Sequence, residues 1–128
     1  MPSAADTLGR IPLPKDSVMD VILDANIYAS DFRTEKIAFS NLFDYLRKTN
    51  SRLVLPRIIR EEVVALYGRE LKKRARETAE AWNSYRHLVL PTKPPAFEKP
   101  AIEHSRRELR RRLMGLPSLT YYPTTAGV

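Results

Sequence analysis

Cysteine is absent from this 128-residue chain. That excludes a disulfide framework and thiolate metal ligands, and it fits a reducing, cytoplasmic setting. Glycine is scarce, with four residues against ten prolines, and neither G-x-G-x-x-G nor a P-loop occurs. Phosphate-cradling glycine loops are therefore excluded, and so, for want of H-E-x-x-H, is the common helical zinc site. No apolar run approaches the roughly 20 residues that span a bilayer. The opening M-P-S-A-A-D-T-L-G-R lacks a basic start followed by an apolar core, so no secretion signal is expected. Acidic residues thin out along the chain, and none follows Glu108.

What remains is a basic, single-domain-sized chain with a net charge of +7 and 43% apolar residues. The charge is uneven. Residues 1–64 carry nine basic and nine acidic side chains, and the remainder carries thirteen basic and six acidic. The excess lies in K-K-R-A-R (72–76) and R-R-E-L-R-R-R (106–112). Such asymmetry favours an anionic partner, nucleic acid or a membrane surface, while solvated helix faces are the plainer reading.

Residues 1–17 form a polar, proline-containing lead expected to be irregular. V-M-D-V-I-L (18–23) reads as a short strand covered on both faces, the pattern of a parallel sheet. Ile37, Leu42, Phe43 and Leu46, with Ala38 and Phe39, recur at helical spacing; Thr34 is the expected N-cap, and Asn50-Ser51 closes the segment. R-L-V-L (52–55) is a second strand, ended by Pro56, which suits the first turn of a helix. That helix is expected from Arg57 to about His87, with Gly68 as a weak point and Leu71, Ala75, Ala79, Trp82 and Tyr85 or Arg86 as its narrow stripe. The prolines of 91–99 form a rigid linker. Residues 100–114 make a third, basic helix with Ile102, Leu109 and Leu113 on one side, and 115–128 shows no periodicity.

Strand, helix, strand, helix is a βαβα unit of the α/β class. Two parallel strands make a poor sheet because each leaves an unpaired edge, and no third strand is evident downstream. The chain therefore reads as the opening of a doubly wound domain.

In open α/β sheets, ligands bind beyond the carboxyl ends of the strands. Asp24 stands there, directly after Leu23. The alternative is that it caps the next segment or binds the Asn26 backbone, as Asp does in turns. On the helix after Pro56, at about 100° per residue from Ile58, Glu62 falls near 40° and Glu61 near 300°. Glu62 is thus expected on the core side, near the sheet edge of Asp24, and Glu61 in water. Otherwise Glu62 pairs with Arg33 or Arg57, or lies at the margin of the buried stripe. Two carboxylates converging at such an edge suit Mg²⁺ or Mn²⁺, hard ions that take oxygen ligands and keep water.

V-I-L-D-A-N-I-Y (21–28) and L-V-L-P-R-I-I-R-E-E-V (53–63) resemble the PIN-domain superfamily, most of all its PIN-like group of unknown function. The resemblance covers residues 18–90. It implies a three-layer fold with a central parallel sheet, of which this chain carries the N-terminal half. It also implies that Asp24 and Glu62 bind the metal and catalyse, with Asn26 supporting Asp24. The implied activity is Mg²⁺- or Mn²⁺-dependent hydrolysis of RNA phosphodiester bonds, often as the toxin of a toxin–antitoxin pair. RNA is then the expected partner, with an antitoxin protein or a homo-oligomer as further candidates and no membrane. Such domains carry one or two further Asp residues in a G-x-x-D-A stretch and beyond. Their absence here points to a truncated member, whose second reading is a catalytically inactive protein that binds nucleic acid electrostatically.

Lys72, Lys73, Arg74 and Arg76 are expected to draw in phosphates, and Arg106, Arg107, Arg110 and Arg111 to contact them, with binding that weakens steeply in salt. A minority reading makes 100–114 a docking helix for an acidic partner. His87 and His104 are expected at the surface or an interface, and Trp82 and Tyr85 in helix packing.

Overall fold

Among the described residues three short strands and four helices follow one another: β1 (Asp20–Ile22), α1 (Ala25–Ala29), α2 (Ile37–Lys48), β2 (Arg52–Pro56), α3 (Arg57–Leu88), α4 (Ile102–Met114) and β3 (Leu119–Tyr122). They come from a computed structural model that describes residues 19–90 and 92–123. The expected irregular lead, Val18 at the expected start of the first strand, Pro91 and residues 124–128 lie outside the described residues.

The sheet is three-stranded and mixed with helix as an α/β fold, in the order β1-β2-β3, with both pairings parallel. β3 corrects the expectation that 115–128 is irregular throughout. Leu-Thr-Tyr-Tyr is rich in β-favouring residues, but four residues are too few to show a period. With β3 in place, β2 is paired along both edges, and the unpaired edges pass to β1 and β3. Register aligns Val21, Leu53 and Leu119 on one face, with Leu55 and Tyr121 beyond them. All five belong to or pack against the main core. The other face carries Ile22, Val54 and Thr120.

Burial corrects the expectation for the first strand. β2 is buried at four of its five positions, but Ile22 of β1 is 52% exposed. β1 is an edge strand, and its second face is half open at Ile22.

α2 closes as its sequence suggests and opens differently. Asn50 has a φ of 53°, Ser51 N–H donates to the Leu46 carbonyl at 2.8 Å, and Asn50 N–H donates to that of Arg47 at 3.3 Å. This is a Schellman ending built on a left-handed Asn. At the other end Thr34 does not cap; it too has a φ of 53°. The Asp31 carboxylate instead accepts the Lys36 N–H at 2.8 Å, and the helix starts at Ile37, whose side chain is 77% exposed.

α3 runs unbroken through Gly68 over 32 residues, a length of about 48 Å. Only its first part is clamped, with Val63, Val64 and Gly68 buried. α4 lies along this part, and Leu109 and Leu113 enter the core. Gly68 permits the close approach, because a Cβ there would meet the Arg106 guanidinium. Beyond it, α3 keeps a half-buried stripe at Leu71, Ala75, Ala79, Trp82 and Arg86; Tyr85 is 54% exposed. The proline-rich segment returns along this outer part. Trp82 Nε1 donates to the Pro95 carbonyl at 2.6 Å, and Arg86 Nε to that of Pro94 at 3.1 Å. Among the described residues no helix is long and apolar enough to cross a membrane.

Candidate functional site

The end of β1 is held in place by the helix next to it in the chain. Ala25 is 1% exposed and Tyr28 is fully buried, so α1 is fastened to the core one residue after Asp24 and again one turn later. Burial pushes the Tyr28 phenol up to about 12, and it stays neutral. A small residue is needed directly after the Asp, because no larger side chain would fit a position so completely enclosed. Asp24 occupies the N-cap of α1 in extended conformation (φ −65°, ψ 151°), yet its side chain makes no capping hydrogen bond. Its backbone carbonyl takes the Ile27 N–H at 3.0 Å. The carboxylate is exposed and, among the described residues, accepts only the Asn26 Nδ2–H, at 3.3 Å. The turn chemistry that would explain Asp24 without function is thus carried by its main chain, and its side chain is left available.

Glu62 sits in the second turn of α3, after the carboxyl end of β2. It is exposed, and Glu61 is half-buried, the reverse of the orientation expected from the helical wheel. The reason is the choice of zero. Ile58 does not mark the buried side, being 58% exposed; Val64 does. Measured from Val64, Glu61 lies about 60° away and Glu62 about 160°. Among the described residues Glu62 forms no ion pair, and Arg33 turns to Glu35 instead. No hydrogen bond joins Glu62 to Asp24, although both lie at the carboxyl edge of the sheet.

Glu61 is the carboxylate that the fold uses. Arg110 grips it through two nitrogens at 3.2 Å each, and Arg60 Nε donates to it at 3.0 Å. Desolvation pushes its pKa up, but the hydrogen bonds and charges of Arg110 and Arg60 outweigh this and hold the carboxyl below its ordinary value. Arg60 also lies over the Tyr121 ring, 4.6 Å from its centroid, a cation–π contact that ties β3 to α3.

The basic residues divide into two groups. Most arginines of α4 have an ion pair within the chain. Arg106 binds Glu103 at 2.5 Å, with its Nε buried and unpartnered. Arg110 holds Glu61, Arg111 pairs with Glu108, and Arg112 binds the Arg33 carbonyl at 2.7 Å and Glu35 at 3.0 Å. Arg107 is exposed and has no ion pair among the described residues. On α3, Arg74 pairs with Glu70 at 2.7 Å, whereas Lys72, Lys73 and Arg76 are exposed and unpaired among the described residues.

A cleft of about 510 Å³ opens between α4 and the segment before α2, with Phe32, Tyr67, His104, Glu108 and Arg112 among its lining. Phe32 and Tyr67 meet edge to face there, 5.2 Å apart. His104 thus borders a cleft, which its isolation in the sequence did not suggest. His87 is exposed.

Asp24 and Glu62, the carboxylates expected from the sequence to share a hard divalent ion, are joined by no hydrogen bond or shared partner among the described residues, and Asp24 is held only by Asn26. Among the described residues no three carboxylate or imidazole groups gather closely enough to hold a metal. No model of a known protein family, no curated protein and no solved structure matches this chain.

Proposed function

We propose that this chain is a PIN-like, Mg²⁺- or Mn²⁺-dependent endoribonuclease homologue, with a three-layer PIN-like fold around its parallel sheet. The observation that carries the reading is the state of Asp24: exposed at the carboxyl end of β1, spared from capping, and oriented by the Asn26 amide at 3.3 Å. Asp24 and Glu62 would hold the ion, a hard oxygen donor pair of the kind that leaves room for water and substrate phosphate. When bound, such an ion lowers the pKa of a coordinated water and offsets charge developing on a phosphate. Asn26 keeps the Asp24 carboxylate turned toward that site. Lys72, Lys73 and Arg76 raise the local concentration of RNA without touching the reacting bond. A protein antitoxin or a second copy of the chain is the protein partner that the reading implies.

The test is cleavage of a fluorescently labelled single-stranded RNA by the full chain in Mn²⁺ or Mg²⁺. Asp24→Asn should reduce cleavage by at least about 100-fold, a loss of about 2.7 kcal/mol in transition-state stabilisation, with an unchanged circular dichroism spectrum. Chelation with EDTA should abolish it. Cleavage that survives both overturns the reading.

A second reading, nucleic-acid binding without hydrolysis, is favoured by the lack of a three-ligand group among the described residues. It expects no cleavage with either metal, together with RNA binding that is independent of metal and steeply dependent on salt.

A further inference from the structure

The outer half of α3 and the proline-rich segment that returns along it do not close into a dry contact. The segment is held off by its own chemistry. Proline has no N–H and a fixed φ, so Pro94 and Pro95 run extended and offer carbonyls, which Arg86 and Trp82 take at 3.1 and 2.6 Å. Small side chains, Ala79 and Ala96, leave the space between unfilled. The result is a groove of about 390 Å³ whose lining includes Arg76, Arg86, Lys99, Glu80, Trp82 and Phe97.

Three cations face one carboxylate in this groove, and Arg76 and Lys99 are exposed without an ion pair among the described residues. The same charge continues along the helix. At 3.6 residues per turn Arg69, Lys72 and Lys73 all fall within about 60° of Arg76. Glu70 and Glu77 fall about 100° or more away, on the side where Glu70 holds Arg74. A cationic stripe therefore leads into a groove bordered by two flat aromatic rings. Tyr85 packs beside Trp82 at 5.4 Å, which braces the indole from its own helix.

We propose that this groove is a binding site for single-stranded nucleic acid, in which Arg76, Arg86 and Lys99 meet phosphates and Trp82 and Phe97 offer apolar surface to bases. Cations beside aromatic rings are what an unpaired strand needs, because every base has a flat face to stack and every link carries a charge. A duplex keeps its bases within the stack, and an acidic peptide has charge without flat units. The choice of RNA over DNA rests on the endoribonuclease reading; the groove itself does not.

Trp82 is the only tryptophan of the chain, so its emission reports on this end of α3. The full chain carrying Asp24→Asn is titrated in EDTA with a single-stranded oligouridylate of twelve nucleotides at low salt. Saturable quenching of Trp82 is expected, and it should be absent with a duplex of equal charge. The exposed pair Arg76→Glu and Lys99→Glu should weaken binding at least tenfold, with an unchanged circular dichroism spectrum. Their loss should also flatten the dependence of log K on log salt by about 0.7 for each phosphate contact removed. Binding without quenching overturns the proposal, as does binding indifferent to the double substitution or no binding at low salt. Polyglutamate that quenches as well as the RNA also overturns it and makes the groove a peptide site. Quenching intact in a chain that cuts no RNA overturns the endoribonuclease reading alone, and cleavage without quenching overturns the groove alone.

Discussion

Glu61 and Glu62 are adjacent acids with opposite tasks. Glu61 lies between Arg60 and Arg110, and the bidentate grip of Arg110 fixes α4 against the start of α3. Its carboxyl is 39% exposed, so solvent screens much of the attraction, and the pair contributes about 0.5–1 kcal/mol after that discount. Because the folded-state pKa is lowered, this stability is present above the ordinary carboxylate pKa and is lost as pH falls through the folded value. Glu61→Gln should therefore lower stability at pH 7, and the gap from the parent should close on acidification below about pH 4.5. Urea unfolding across that range measures it; a gap independent of pH would refute the assignment. Glu62→Gln should leave stability at pH 7 close to that of the parent, since Glu62 has no ion pair among the described residues. Gly68 shows a different residue-scale economy. Its missing side chain admits the Arg106 guanidinium, so the helix accepts a residue about 1 kcal/mol poorer than Ala in exchange for close packing of α4.

At the scale of elements, α4 acts as a strap. Its apolar residues Leu109 and Leu113 are buried, and Arg110 and Arg112 reach α3 and the segment before α2. Those two arginines tie the helix to other elements, while Arg106 and Arg111 pair with acids of the same helix. α3 is held unevenly: Val63, Val64 and Gly68 are buried in its first part, and no residue beyond Gly68 is. Helices draw most of their stability from packing, and opening free energy falls where buried contacts are few. Amide hydrogen exchange should therefore be slowest around residues 61–68 and faster over 72–81, with the proline-rich segment slowing it again near Trp82. Uniform protection along α3 would contradict this division. β3 adds a third strand beside β2, and the Arg60–Tyr121 contact joins it to α3.

For the whole molecule, α3 links the two places where nucleic acid is expected to act. From Glu62 to Arg76 the helix rises about 21 Å, the length of about six stacked nucleotides at 3.4 Å each. A substrate must exceed that length to reach the acidic edge and the groove together. Arg76→Glu with Lys99→Glu should accordingly raise the KM for a twelve-nucleotide RNA by a larger factor than that for a four-nucleotide RNA. Equal sensitivity at both lengths would show that the groove does not position substrate. The overall charge of +7 does not identify this route by itself, because so many arginines are neutralised within the fold.

Local signals in the sequence determined much of the architecture: the order of the first two strands and three helices, the continuity of α3 through Gly68, the Asn50 ending of α2, and Asp24 after β1. Each arises from a period, a proline or a turn residue acting over a few neighbours. Tertiary structure alone decided the phase of α3, because Ile58 and Val64 are equally apolar in sequence and only packing shows which one faces the core. It decided β3, since four residues carry no period and gain strand structure only by pairing with β2. It also decided which arginines remain free, because a guanidinium 49 residues distant neutralises Glu61, and no spacing rule connects positions so far apart along the chain.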